Sequence, residues 1–270
     1  MKRRWYGAAA AVLALAFGGG LTAQTQEETQ RGIEAYRQAL QQGNPAELFE
    51  AQGGELWKKP MGPRNGTLEQ CDLGVGPGKV AGAYARLPRY FADTDKVQDL
   101  ESRLLTCMER YWGIDVQPVI DAAYTAPAKR EIIALTTYVS GESKDVVVDV
   151  RPTHPKERAA FELGKRMFFF QGGSHDFSCA TCHSEDGKRI RLQDLPNITE
   201  RKGSALGWGS WPAYRVSAGQ MWTMQWRIQD CFRQMRFPEP IYTSEATIAL
   251  SVYMAATASG ETMRTPGIKR

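Results

Sequence analysis

Cys179-Ala180-Thr181-Cys182-His183 is the stretch that decides the fold. Its C-x-x-C-H spacing is the attachment motif for c-type haem. Two thiols about one helical turn apart can add to the two vinyl groups of the porphyrin, and the adjacent His183 can then reach the iron from one face. A disulfide or a zinc site is the competing use of such a pair. Zinc asks for a second pair of ligands, and the chain offers only His154, His175 and single cysteines. One covalently attached haem c on Cys179 and Cys182 is therefore expected, with His183 as its first iron ligand.

The flanks of the motif agree with a small cytochrome. From Glu157 to Phe170, the residues Ala160, Phe161, Leu163, Gly164, Met167 and Phe168 recur at helical spacing. The loop Gln171-Gly172-Gly173-Ser174 leads from that helix into the motif. Far downstream, Ser244 to Thr257 holds Ile248, Ala249, Leu250, Val252, Tyr253 and Met254, a second apolar helix. Helix, motif, variable loops and closing helix is the order of a class I cytochrome c.

The rest of the chain sets the compartment. Lys2, Arg3 and Arg4 precede the short apolar run Ala8 to Phe17, and small residues follow through Ala23. That is the layout of a secretory signal cleaved after Ala23. The run is shorter than the roughly 20 apolar residues a membrane span needs, so no stable membrane anchor is expected. Without those three basic residues the 34 lysines and arginines fall to 31, against 30 acidic residues. The charge balance then gives no support to nucleic-acid binding. The chain reads as a periplasmic protein.

The sequence also repeats itself. Leu87-Pro88-Arg89-Tyr90 precedes Cys107 as Trp211-Pro212-Ala213-Tyr214 precedes Cys231, with seventeen residues from Tyr to Cys in both. Arg103 and Arg227 each stand four residues before their Cys. Ile133-Ala134-Leu135-Thr136-Thr137-Tyr138 and Ile248-Ala249-Leu250-Ser251-Val252-Tyr253 close the two halves. The expected architecture is mainly α: two tandem class I cytochrome c-like domains, the N-terminal one without haem. The boundaries are 1–23 for the signal peptide, 24–145 for the haem-less domain and 146–270 for the haem domain, with a linker near Ser143 to Pro155. Where the first half should carry a motif there is only Leu68-Glu69-Gln70-Cys71-Asp72.

Five cysteines in an oxidising compartment leave an odd one. A Cys71–Cys107 bridge would close a loop of roughly 36 residues and contribute roughly 3–4 kcal/mol; two free thiols are the alternative. Cys231 then remains, in the zone where a class I cytochrome supplies its second axial ligand. Met221, Met224, Met235 and Met254 are the conventional candidates for that ligand. Cys231 competes with them because it sits at the repeat position of Cys107, in a basic stretch, with Arg227 on the same face if the segment is helical. A guanidinium beside a thiol raises its thiolate fraction and offers a planar fork of donors to an oxyanion.

These residues resemble the SoxA family, the catalytic subunits of SoxAX cytochrome complexes in bacterial thiosulfate oxidation, in the single-haem form. The resemblance spans the mature chain. It rests on Gly74-Val75-Gly76-Pro77-Gly78, on Leu87-Pro88-Arg89-Tyr90-Phe91-Ala92, on the single C-x-x-C-H, and on Arg227 followed four residues later by Cys231. It implies a haem iron held by His183 and by Cys231, the latter often a persulfide and the catalytic centre. It implies L-cysteine S-thiosulfotransferase activity: thiosulfate is joined to a cysteine of the SoxYZ carrier, two electrons leave, and SoxX is the cytochrome partner. Two-haem members carry a motif in the first domain, and this chain departs from them there. A pure electron carrier with His183 and a Met on iron is the rival reading. A thiosulfate dehydrogenase making tetrathionate is a third, and it would call for two haem motifs.

Overall fold

The computed structural model describes residues 25–41, 43–190 and 193–269, so the expected signal segment 1–23 lies outside the described residues. Helix α1 (Gln26–Gln41) belongs largely to a unit of its own, residues 1–40. Thr25 and Glu28 open it with a reciprocal cap: Glu28 N donates to Thr25 Oγ1 at 3.2 Å and Thr25 N to Glu28 Oε2 at 2.9 Å.

Residues 41–270 form the second unit. Its first half runs α2 (Ala46–Lys58), β1 (Arg89–Phe91), β2 (Lys96–Gln98), α3 (Leu100–Cys107), α4 (Gln117–Asp121) and α5 (Arg130–Gly141). The second half runs α6 (Pro155–Phe169), α7 (Cys179–His183), β3 (Arg189–Ile190), β4 (Gln193–Asp194), α8 (Arg201–Gly207), β5 (Ala213–Arg215), β6 (Gln220–Trp222), α9 (Met224–Gln234), α10 (Glu245–Ala258) and β7 (Gly267–Lys269). The fold is mainly helical.

Two helix pairs carry most of the packing, α2 on α5 and α6 on α10. Each crosses at a glycine. A Cβ on Gly53 would overlap the Ala134 carbonyl, and one on Gly164 the Ala249 carbonyl. The backbones therefore touch with no side chain between them. Gly164→Ala is expected to lower the melting temperature. Overpacking costs about 1–3 kcal/mol, which outweighs the roughly 0.5–1 kcal/mol that alanine ordinarily gains in a helix. Helix α10 has no polar face because α6, α8 and α9 all pack on it; Thr247 through Ala255 are buried.

The sequence repeat is a repeat of structure. Leu87–Pro88 and Trp211–Pro212 are both cis. Each leads into a hairpin: β1 pairs β2 as Arg89–Gln98, and β5 pairs β6 as Ala213–Trp222, the same register moved by the 124 residues that separate Cys107 from Cys231. Each hairpin is followed by a capped helix. Asp99 accepts from Ser102 N at 2.9 Å, and Thr223 accepts from Trp226 N at 3.4 Å. The second half adds β7, parallel to β5.

The stretch expected as a linker is not loose. Val146, Val148 and Asp145 exchange backbone hydrogen bonds with Gly260, Glu261 and Met263, and Val148 and Val150 are buried. The Val-Val-Val-Asp-Val run has strand chemistry, and it finds a partner in the chain's last turn. A single apolar core runs through both halves, with the Tyr84 and Trp208 rings 5.1 Å apart within it. Among the described residues, no helix is long and apolar enough to cross a membrane.

Candidate haem and thiol site

The haem motif is folded as α7. Ser178 starts it: its hydroxyl accepts from Thr181 N at 3.1 Å, while Thr181 Oγ1 accepts from Ser178 N at 2.9 Å. This closed cap makes a five-residue helix tenable and puts Cys179 and Cys182 three residues apart on one side of it. Helix α6 packs against α7, so the long first helix of this half sets the motif's orientation.

His183 Nδ1 lies 2.9 Å from the Pro196 carbonyl oxygen. A carbonyl only accepts, so Nδ1 carries the proton and Nε2 keeps its lone pair for a metal. Burial lowers the His183 pKa; the Pro196 bond opposes this, and the charges of Arg227 and Lys188 add to it. The imidazole is held neutral, the form that binds iron.

The other wall is α9. Arg227 and Cys231 are one helical turn apart, and the Cys231 sulfur is within electrostatic reach of Cys182 and Cys179, as Arg227 is of His183. All five predicted residues of the haem and thiol site thus converge. Burial pushes the Cys231 thiol up; Arg227 opposes it, Asp230 and Cys182 add to it, and Arg215 also lowers it. The guanidinium acts in the direction expected from the sequence, but desolvation outweighs it. Cys179 is pushed up to about 12, first by burial and then by Cys231.

The sequence reading missed Asp230. It is buried, and it accepts from Arg227 Nη1 at 2.7 Å, from Gln234 Nε2 at 2.6 Å and from Arg233. An acid flanked by arginines three residues before and after it was the available signal. Asp230 fixes the Arg227 side chain along α9 and takes up part of its charge. In the first half the matching Arg103 is held differently: its Nη1 meets Asp93 at 2.9 Å, and its Nε donates to the Asp72 carbonyl at 2.7 Å. At the position matching Asp93 the second half has Ser217, which leaves Arg227 for its helix neighbour.

Cys71 and Cys107 form a disulfide with Cα atoms 5.6 Å apart, both fully buried. His175 is exposed beside Phe177. His154, read from sequence as linker, caps α6: its Nδ1 accepts from Lys156 N at 3.2 Å, and its ring stacks on Tyr90 at 3.7 Å.

The donor set fits a covalently held haem. Two thiols share one helix face, a neutral imidazole has its free nitrogen available, and a third sulfur, on α9, is within electrostatic reach of both thiols. Over 240 residues the chain is 59% identical to the L-cysteine S-thiosulfotransferase subunit SoxA of Hydrogenophilus thermoluteolus, covering 89% of this chain and 88% of that one. The chain belongs to the SoxA family. A SoxA subunit of Hydrogenobacter thermophilus is 39% identical over 227 residues, covering 84% of this chain and 82% of the relative. The family model described as SoxA/TsdA, cytochrome c domain, matches residues 52–148, the half of this SoxA chain without a haem motif. The crystal structure of SoxXA from P. pantotrophus shares the fold, with a TM-score of 0.72 at 24% identity over 87% of this chain and 84% of that one.

Proposed function

We propose that this SoxA chain is the catalytic cytochrome subunit of an L-cysteine S-thiosulfotransferase. One haem c would be held covalently by Cys179 and Cys182, and His183 and the Cys231 sulfur are the residues that would bind its iron. The observation that carries the reading is the seat of Cys231 on α9, within electrostatic reach of the motif cysteine Cys182 and with Arg227 one turn away. The haem half is placed at 146–270 and the haem-less half at 24–145. The matched cytochrome c family span, residues 52–148, covers most of the latter and ends three residues past that boundary, which supports the division.

When bound, the haem supplies a redox centre and an iron that ionises the Cys231 thiol despite its burial. The chain's own groups handle the anion. Arg227 holds the sulfonate end of thiosulfate, and Asp230 keeps the guanidinium aimed. The Cys231 sulfur takes up thiosulfate as an S-thiosulfonate, with two electrons passing to the partner cytochrome, SoxX. The thiolate of the SoxYZ carrier then attacks the outer sulfur. A bond forms from carrier sulfur to that sulfur, its bond to Cys231 breaks, and Cys231 leaves as the thiolate. The setting is the periplasm, reached through a cleaved signal.

Intact mass before and after thiol reduction tests the assignment. One haem and one reducible bridge are expected; a second haem would overturn it. Arg227→Ala is expected to slow conjugation about 10- to 100-fold, the worth of one charge-assisted hydrogen bond. An unchanged rate would reduce Arg227 to a partner of Asp230.

A further inference from the structure

Polar side chains from both halves meet, buried, at the start of α9. Glu101 on α3 accepts from Gln225 N at 3.2 Å through Oε1 and from the Tyr242 hydroxyl at 2.5 Å through Oε2. The Thr223 hydroxyl also donates to it. Gln225 is the repeat counterpart of Glu101. Its side-chain nitrogen donates to Asp99 Oδ2 at 2.5 Å, and its side-chain oxygen accepts from Thr243 N at 3.1 Å. Glu101 is 3% exposed, Tyr242 3%, and Gln225 and Thr223 0%. The Lys129 ammonium lies 3.2 Å from the centre of the Tyr242 ring.

The second residue of a helix has an N–H with no partner inside the helix, and its positive end favours an anion. Helix α9 already has a local cap in Thr223. The carboxylate that takes the Gln225 N–H comes instead from 124 residues away in the chain. It ties α9 to the first half, and α9 carries Arg227, Asp230 and Cys231 within its next two turns. We infer that Glu101, in the half without a haem motif, is a positioning residue for the thiosulfate reaction, fixing the N-terminal end of α9 and with it the place of Cys231 and Arg227. The inference rests on the reading of those two residues given above.

Burial, then Asp99, push Glu101 up to about 7, against the bonds from Tyr242, Thr223 and Gln225. The other groups around it are Lys129, drawn down to about 8 by burial, and the tyrosines 84, 124 and 242, all raised. A protonated Glu101 gives up an acceptor to these donors, so its hold on α9 weakens as pH falls through 7.

The test uses the haem-loaded complex with its cytochrome partner. Glu101→Gln keeps an acceptor for the Gln225 N–H and removes the titration. As the neutral likeness of the protonated acid, it should keep normal covalent haem, react at pH 8 at the reduced rate the unaltered protein shows below pH 7, and lose the fall in rate below pH 7. Glu101→Ala should slow conjugation about 10- to 100-fold, the scale of a displacement near 1 Å, and alter the ferric haem spectrum. A Glu101→Gln variant with an unchanged pH profile overturns the inference, and this holds even if Glu101→Ala does not fold. So does a folded Glu101→Ala protein with a lower melting temperature but unchanged rate and spectrum. The haem spectrum needs no turnover. Failure of the Cys231 assignment would instead show as retained conjugation in Cys231→Ala, so the two failures are separable.

Discussion

Cys231→Ala will keep its covalent haem and lose thiosulfate conjugation by a factor on the order of 10⁴ or more, the scale seen when a nucleophile is removed. Haem retention would follow because the thiols proposed for covalent attachment, Cys179 and Cys182, stand on a helix capped by Ser178 and untouched by the change. Loss of turnover follows because no other described cysteine can replace it. Cys71 and Cys107 are bonded to one another, and the remaining two belong to the motif. Haem absorbance of the purified protein, its ferric spectrum and a mass assay of carrier conjugation read all three consequences. The spectrum should lose the signature of a sulfur anion on iron. Retained turnover would remove the enzyme assignment from this residue and return the chain to the electron-carrier reading.

The second large effect is on stability. Replacing Cys71 and Cys107 together by alanine is expected to cost about 4 kcal/mol, because the bridge spans 36 residues and so removes much freedom from the unfolded chain. Both cysteines are buried, so small cavities add to the loss. The check is the denaturant midpoint of the haem-loaded protein: a clear fall at similar slope, with covalent haem content unchanged. A loss below about 1 kcal/mol would mean that the first half is held by its packing alone. The two variants dissociate the halves, since one abolishes chemistry at normal stability and the other weakens the fold with the thiol site intact.

Much of this was legible in the residues. The C-x-x-C-H motif reported the site's first wall because covalent attachment leaves little freedom in spacing. The closing helix expected at Ser244 to Thr257 is observed at Glu245–Ala258, since a run of apolar residues that long has few other uses. The Tyr-to-Cys spacing revealed the repeat, although not the cis-prolines and hairpins that realise it. Strands of three residues carry too short a pattern to declare themselves. Gly164 read as one more residue of an apolar helix face, because a close backbone crossing is a property of two segments at once. Asp230 and Glu101 were passed over for a related reason. A carboxylate in a helical sequence reads as a solvated face until the elements packed over it are known. The effect of Arg227 on the Cys231 thiol was right in sign and wrong in outcome, since spacing reports a neighbouring charge but not the depth at which it acts.

The joined core has a practical consequence. Because Tyr84 and Trp208 face each other inside one apolar mass, cutting the polypeptide near residue 145 would yield two fragments, each with a raw, water-shunning scar. Neither is a self-sufficient module. The half without a haem motif serves as the other's permanent wall, and both should melt in a single cooperative step.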